Sequence, residues 1–207
     1  MAKSIGVKIL ESDREIFAKI NKALAKEFDN NMRRKSNDIK NAIRPIIAKA
    51  IFSSPEIQSL SGGLLRADFG LTVDPSTEIV QSILSTIKLN TRNSRATAQN
   101  IDGGFTLTIQ PIDYSNLFSL PVAEQIIVGG SIPWLKWLLT LGDSVIIANF
   151  GVEYGAKGRS GMGHMTRESR PFKVNSQFSG TVDNNFITRA IESASSEIKS
   201  AIMGVLK

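Results

Sequence analysis

Residues 133–154, PWLKWLLTLGDSVIIANFGVEY, hold both tryptophans of the chain and read as a short helix, a tight turn and a buried strand. Ser131 is placed to cap the helix, and Pro133 sits in its first turn, where the missing N–H removes a bond that would be unpaired anyway. Leu135, Leu138 and Leu139 share one face, with Trp134 and Trp137 alongside. Gly142 supplies the left-handed residue that ends such a helix. Val145, Ile146 and Ile147 form a β-branched run, too short for another helix and too apolar for an exposed strand. This unit must be packed on both sides, so the rest of the chain is read as its cover. Nothing within it is arranged for chemistry.

Downstream, Gly155 to Gly163 is a glycine-rich basic loop. It lacks the Gly-Lys-Ser/Thr ending of a phosphate loop, and Met162 stands where the last glycine of a G-x-S-x-G elbow would be. The reading is a hairpin tip or an assembly loop within residues 155–171. Thr181 or Asp183 then caps a helix over 183–206. Its stripe of Phe186, Ile187, Ala190, Ile191, Ala194, Ile198, Ala201, Ile202 and Val205 should dock across the sheet formed by residues 105–110 and 144–154.

Upstream, Ser12 and Glu15 form a capping box. From there Ile16, Ile20, Leu24, Phe28 and Met32 recur every four residues, and Ile39, Ile43, Ile47 and Ile51 resume the stripe. This predicts a projecting helical region over 12–51. It is either one helix or two nearly collinear ones, broken near Asp29-Asn30-Asn31 or kinked at Pro45. Ser54-Pro55 opens a short helical turn that Ser61-Gly62-Gly63 breaks. Asp74-Pro75 starts an amphipathic helix through Ile87, which gives way to a strand through Leu89. Residues 90–104 are polar and basic and read as flexible. FTLTIQ, 105–110, alternates as a half-buried strand that Pro111 stops. Val122 to Val128 is ambiguous and can form a helical turn.

These pieces predict a single α+β domain over 1–207. An antiparallel sheet of about four or five strands, drawn from residues 86–178 with the helix 133–141 inserted, would be covered by the C-terminal helix. At 207 residues with 42% apolar and 21% charged, the chain is long enough for one sizeable core. Cysteine is absent, which excludes disulfides, thiol nucleophiles and cysteine zinc sites. No segment reaches the roughly 18–20 apolar residues of a membrane span, and MAKSIGVKIL has no apolar core of signal-peptide length.

Net charge is +6, and residues 1–51 account for it with 12 Lys/Arg against 6 Asp/Glu. Arg33, Arg34, Lys35, Lys40 and Arg44 lie off the apolar stripe. They read either as a solvated helix face or as a ridge toward nucleic acid or an acidic partner. Lys157, Arg159, Arg167, Arg170 and Lys173 against Glu168 make the second loop locally basic. Asp143, Glu153 and His164 are the one set of side chains a hydrolase could converge on, but no orienting motif accompanies them. Asp13/Glu15 and Glu192/Glu197 sit on helix surfaces, where carboxylates solvate or pair with lysine.

One order of features stands out: a long N-terminal helical region, the step Ser61-Gly62-Gly63-Leu64-Leu65-Arg66, a glycine-rich loop after the strand end Phe150-Gly151, then Arg170-Pro171-Phe172 and a closing amphipathic helix. This order resembles the neck or tail-completion proteins of long-tailed bacteriophages. The pattern WLKWLLTLGDSVII, GRSGMGHM and FSGTVDNNFITRAIES is also similar to structural virion proteins of contractile-tailed phages. The resemblance covers most of residues 12–206. It implies a virion protein forming a homo-oligomeric ring at the head–tail junction, between portal or adaptor and tail tube or tail terminator, with no enzymatic activity, cofactor or membrane. The basic N-terminal helix and the 155–171 loop would then contact neighbouring subunits, acidic partner surfaces or the passing DNA. Alternatives are a tail terminator, another tail or baseplate component, or a basic nucleic-acid-binding protein.

Overall fold

The first helix, α1, runs unbroken from Asp13 to Phe52 in the computed structural model, which describes residues 11–127, 130–167 and 170–207. The opening MAKSIGVKIL, with its expected lack of a signal segment, and Glu168 lie outside the described residues. Ser12 caps α1 as expected. Its hydroxyl accepts from the Glu15 amide, and the Glu15 carboxylate accepts from the Ser12 amide at 2.8 Å, which holds Glu15 below the usual carboxylate range. Neither Asp29-Asn30-Asn31 nor Pro45 interrupts the helix. An interior proline costs about 3 kcal/mol. Ile39, Ile43, Ile47 and Ile51 flank it, all buried, and at roughly 1.5–3 kcal/mol apiece they outweigh that penalty.

The helices α2 (Pro55–Gly62) and α3 (Leu64–Phe69) meet at Gly63, where a Cβ would lie 2.9 Å from the Ser59 Cα. Arg66 ties this corner together by donating to the carbonyls of Ser61 (2.6 Å), Leu71 (3.3 Å) and Thr72 (3.1 Å). The helix α4 (Ser76–Ser85) has Pro75, not Asp74, at its cap position; the Asp74 carboxylate accepts the Ser76 amide at 2.9 Å just ahead of it, and the helix ends before Ile87.

Residues 90–104 are not an irregular segment. They continue a hairpin of β1 (Lys88–Ala96) and β2 (Ile101–Thr108), with a register shift between Arg92 and Arg95. Their polarity reflects what they pack against. Asp29 on α1 accepts from both the Ser94 amide (2.9 Å) and its hydroxyl (2.7 Å), and Arg33 donates to Asn93 at 2.7 Å. Polar side chains facing a helix's polar flank form a lattice that an apolarity scan passes over.

After the short helix α5 (Ser115–Phe118) and a 3₁₀ turn at Pro121–Ala123, β3 (Gln125–Ile127) pairs with β4 (Gly130–Ile132). The helix α6 (Trp134–Thr140) follows. Pro133 takes the cap position, Ser131 lies in β4 and makes no cap bond, and Gly142 is left-handed (φ 58°) as expected. The expected buried strand at Val145–Ile147 is absent. Only Ile147 makes a single bridge, to Phe172, and Val145 is exposed. Asn149, at φ 64°, turns the backbone out of the strand path, so the ladder begins at β5 (Phe150–Tyr154), paired with β6 (Gly163–Arg167).

The three hairpins remain three separate two-stranded antiparallel sheets, not one sheet of four or five strands. Pro111 and the left-handed Tyr114 (φ 52°) lead the chain from β2 into α5, and the aromatic contact of Phe69 with Trp134 (5.5 Å between ring centres) fills the space beside α6. The C-terminal helix is also two helices, α7 (Phe186–Ser193) and α8 (Ser195–Leu206), with Asn185 as cap in place of Thr181 or Asp183. Both pack on α1, not across a sheet. The architecture is therefore α+β, a long N-terminal helix with helices and small hairpins around it, sharing one continuous apolar core.

Candidate functional site

Of the five basic positions on α1, Arg33, Lys40 and Arg44 share one face at about 100° per residue, while Arg34 and Lys35 point elsewhere. Three of the five bond to other parts of the chain. Arg33 donates to Asn93, Lys35 to the Val205 carbonyl at 2.8 Å, and Arg44 reaches the Leu84 carbonyl at 3.4 Å. Arg34 is exposed and Lys40 half-buried, and neither makes a hydrogen bond or ion pair among the described residues. These side chains fasten the β1–β2 hairpin, α8 and α4 to α1.

The glycine loop is a fixed turn joining β5 to β6. The Gly155 amide donates to the Met162 carbonyl at 2.9 Å and the Gly161 amide to the Gly158 carbonyl at 3.2 Å. Gly158 (φ 91°) admits no side chain, because a Cβ would lie 2.0 Å from the Gly163 carbonyl oxygen. Lys157 stands in solvent on this turn. Arg159 folds back, donates to the Ile126 carbonyl at 2.9 Å and lies against Gly70. Arg167 ends β6 exposed, and Arg170 lines a shallow cavity of about 360 Å³ with Lys173, Tyr154 and Asp68.

Beneath the turn a second cavity, about 330 Å³, is bounded by the end of α3, the β3–β4 hairpin and β5–β6. Its lining is mostly apolar, with Asp68, Arg159 and His164 as the charged or titratable groups. Glu153 and His164 are cross-strand partners, their Oε2 and Nε2 3.5 Å apart, and the His164 Nδ1 is buried without a partner. Asp143 joins neither of them. It lies exposed in the turn after α6, with no hydrogen bond or ion pair among the described residues. The set of three therefore reduces to a pair. Among the described residues no three acidic or histidine side chains gather closely enough to hold a metal ion, and no helix is long and apolar enough to cross a membrane.

No protein-family model, curated protein or solved structure matches this chain.

Asp68 and Tyr154 were not singled out from the sequence. The Tyr154 hydroxyl donates to the Asp68 carboxylate at 2.7 Å and latches β5 to α3. Burial lifts Asp68 above its ordinary value of 3.8, and the tyrosine bond opposes only part of that rise. Burial and the Asp68 carboxylate raise Tyr154 in turn. A folded state that holds the Asp68 proton more tightly than the unfolded chain gains stability that is full below pH 3.8 and lost as the pH rises through the raised value. Asp68→Asn keeps an oxygen for Tyr154 and removes this dependence. Its melting temperature relative to wild type should be higher at pH 7 than at pH 4 by on the order of 2 °C. Equal differences at the two pH values would contradict it.

The other feature missed is what remains outside the core. On the first turns of α1, Phe17 (56% exposed), Ile20 (48%), Leu24 (55%) and Phe28 (43%) stand in solvent, and Ile126 on β3 is 79% exposed. The four-residue spacing is visible in the sequence, but it carries no mark of where the chain's own cover stops.

Proposed function

We propose that this chain is a structural subunit of the neck of a tailed bacteriophage particle, assembled as a ring between portal or adaptor and tail tube. The observation that carries this reading is the set of large apolar side chains left in solvent on ordered elements: the N-terminal turns of α1, the β3–β4 hairpin, and Phe150 and Met165 on β5–β6. Contiguous exposed apolar surface on a folded chain marks contact with partners.

Motif order supplies the identity of the assembly, through its resemblance to neck and tail-completion proteins. In this reading the subunit carries out no reaction and holds no cofactor. Its place is in the virion, and Lys157, Arg167 and Arg170 face neighbours or the passing DNA. The internal use of Arg33, Lys35 and Arg44 weakens the alternative of a basic nucleic-acid-binding ridge.

Two experiments on particles test this. Replacing residues 157–161 by a two-residue turn should leave the protein folded and accumulate unjoined heads and tails, with infectivity lowered by orders of magnitude. Full infectivity would refute the role. Gold-labelled antibody against the chain should mark the head–tail junction, and label confined to the distal end of the tail would assign it to the baseplate.

A further inference from the structure

One face of α1 carries a row of cations. At about 100° per residue, Lys19, Lys22, Lys26, Arg33, Lys40 and Arg44 fall within an arc of about 60°. The helix runs unbroken beneath them, so the row is about 37 Å long at 1.5 Å per residue. Lys19 pairs with Glu11. Lys22, Lys26 and Lys40 make no hydrogen bond or ion pair among the described residues. Arg33 and Arg44 each use one nitrogen, Nη2, toward Asn93 and the Leu84 carbonyl, and both side chains remain exposed.

Like charges are set close together along this row. Lys22 and Lys26 stand four residues apart, as do Lys40 and Arg44, a spacing at which equal charges destabilise a helix. From Lys22 onward, the only acid three or four residues from any of these cations is Asp29. Its carboxylate already accepts from the Ser94 amide and hydroxyl. Residues 1–10 carry Lys3 and Lys8 and no acid, so their sequence supplies no counter-charge.

We propose that this face binds the phosphate backbone of double-stranded DNA, without regard to base sequence. The proposal adds a surface to the structural subunit and rests neither on the ring nor on the virus particle.

Three observations select the duplex. Between Lys22 and Arg44 the arc holds, besides its cations, only Asp29, Asn30, Ser36 and Asn37. An acidic protein would find no apolar group to bury there, whereas protein interfaces are anchored by buried apolar and aromatic side chains and are poor in lysine. Phosphates are held by Lys and Arg together with hydroxyl and amide donors, which is the set present. The groove between α1 and β1 has the same character. It encloses about 540 Å³, and apart from Ala25 and Ala96 its lining is polar, with Lys22, Lys26 and Arg33 as its cations. No aromatic ring lies on the arc, so unpaired bases have nothing to stack on, which favours a duplex over a single strand. The length agrees as well. One turn of duplex rises about 34 Å, so a straight row of this length meets phosphates across a full turn.

Fluorescence anisotropy of the full-length protein with a labelled duplex of about 30 base pairs and arbitrary sequence tests this. The affinity should fall with salt on a log–log slope of about −4, as expected for some five phosphate contacts. The double variant Lys22→Gln/Lys26→Gln should reduce that slope by about 2 and weaken binding at about 50 mM salt by roughly tenfold or more. Lys136→Gln/Lys199→Gln removes the same charge from exposed positions on α6 and α8, and should leave slope and affinity within about twofold. No binding by the wild type at about 50 mM salt overturns the proposal. So does equal weakening by the two double variants, or tighter binding to poly-glutamate than to the duplex. The wild-type chain gives the same answer without substitution. Saturating duplex should slow chemical acetylation of Lys22 and Lys26 several-fold relative to Lys136 and Lys199, and equal slowing at all four would overturn the assignment.

Discussion

Trp134→Ala should destabilise the protein by about 4 kcal/mol, the size expected for emptying a large aromatic site in a packed core. Trp134 is fully buried at the start of α6. Its indole lies 5.5 Å from the Phe69 ring, and its Nε1–H donates to the Val122 carbonyl at 2.7 Å. Truncation therefore opens a cavity between α3 and α6. It also leaves the Val122 carbonyl without its donor, at a further cost of about 1 kcal/mol. For a chain of this length the melting temperature should fall by on the order of 10 °C. Urea unfolding followed by circular dichroism gives the value directly, with an unchanged m-value. Trp134→Phe should recover most of the packing but not the hydrogen bond. A loss under 1 kcal/mol for the alanine variant would mean that residues 133–141 are peripheral to the fold.

Asn185→Ala comes second, at about 3 kcal/mol. Asn185 is fully buried. Its Oδ1 accepts from the Ile187 and Thr188 amides to cap α7, and its Nδ2 donates to the Tyr114 hydroxyl at 2.7 Å and the Thr181 carbonyl at 2.9 Å. Loss of a cap alone costs about 1 kcal/mol. Loss of the Nδ2 donor takes one bond from the Tyr114 hydroxyl, which still donates to the Val182 carbonyl, and one from the Thr181 carbonyl, which still accepts from the Asn184 amide, and adds about 1–2 kcal/mol. Asn185→Asp separates the two contributions, since aspartate keeps the cap and cannot donate. It should fall between wild type and alanine when unfolding is measured at pH 7. An aspartate variant as stable as wild type would show that the Nδ2 bonds contribute nothing.

How legible the fold was in the sequence depended on how local each signal is. Ser12 with Glu15, Ser54 with Pro55, and Gly142 each act within a few residues, and each appears in the structure in the role its spacing implies. The stripe of Ile39, Ile43, Ile47 and Ile51 announced a buried helix face. What failed was pairing at long range. Val145–Ile147 carries a strand's composition, yet one left-handed asparagine at 149 diverts the backbone before it can join a ladder. The β1–β2 hairpin lacks apolar alternation because its inner contacts are Asp29 with Ser94 and Arg33 with Asn93, interactions between residues some 60 positions apart. The alanines of α7 and α8 signalled close approach correctly. They could not say that the surface approached is α1.

The functional positions divide the same way. The glycines at 155, 158 and 161 were readable as a turn because positive φ is a local demand. The basic residues of α1 were readable as off-stripe, but their use as internal fasteners depends on elements distant in sequence. Asp68 and Tyr154 are 86 positions apart, and neither sits in a motif, so only the fold brings them together.

Native mass spectrometry of the purified full chain over a range of concentrations tests the central claim most directly. A ring subunit predicts oligomers that terminate at one copy number greater than two and persist on dilution once closed. A single monomer peak at every concentration, or a dimer as the largest species, would contradict it.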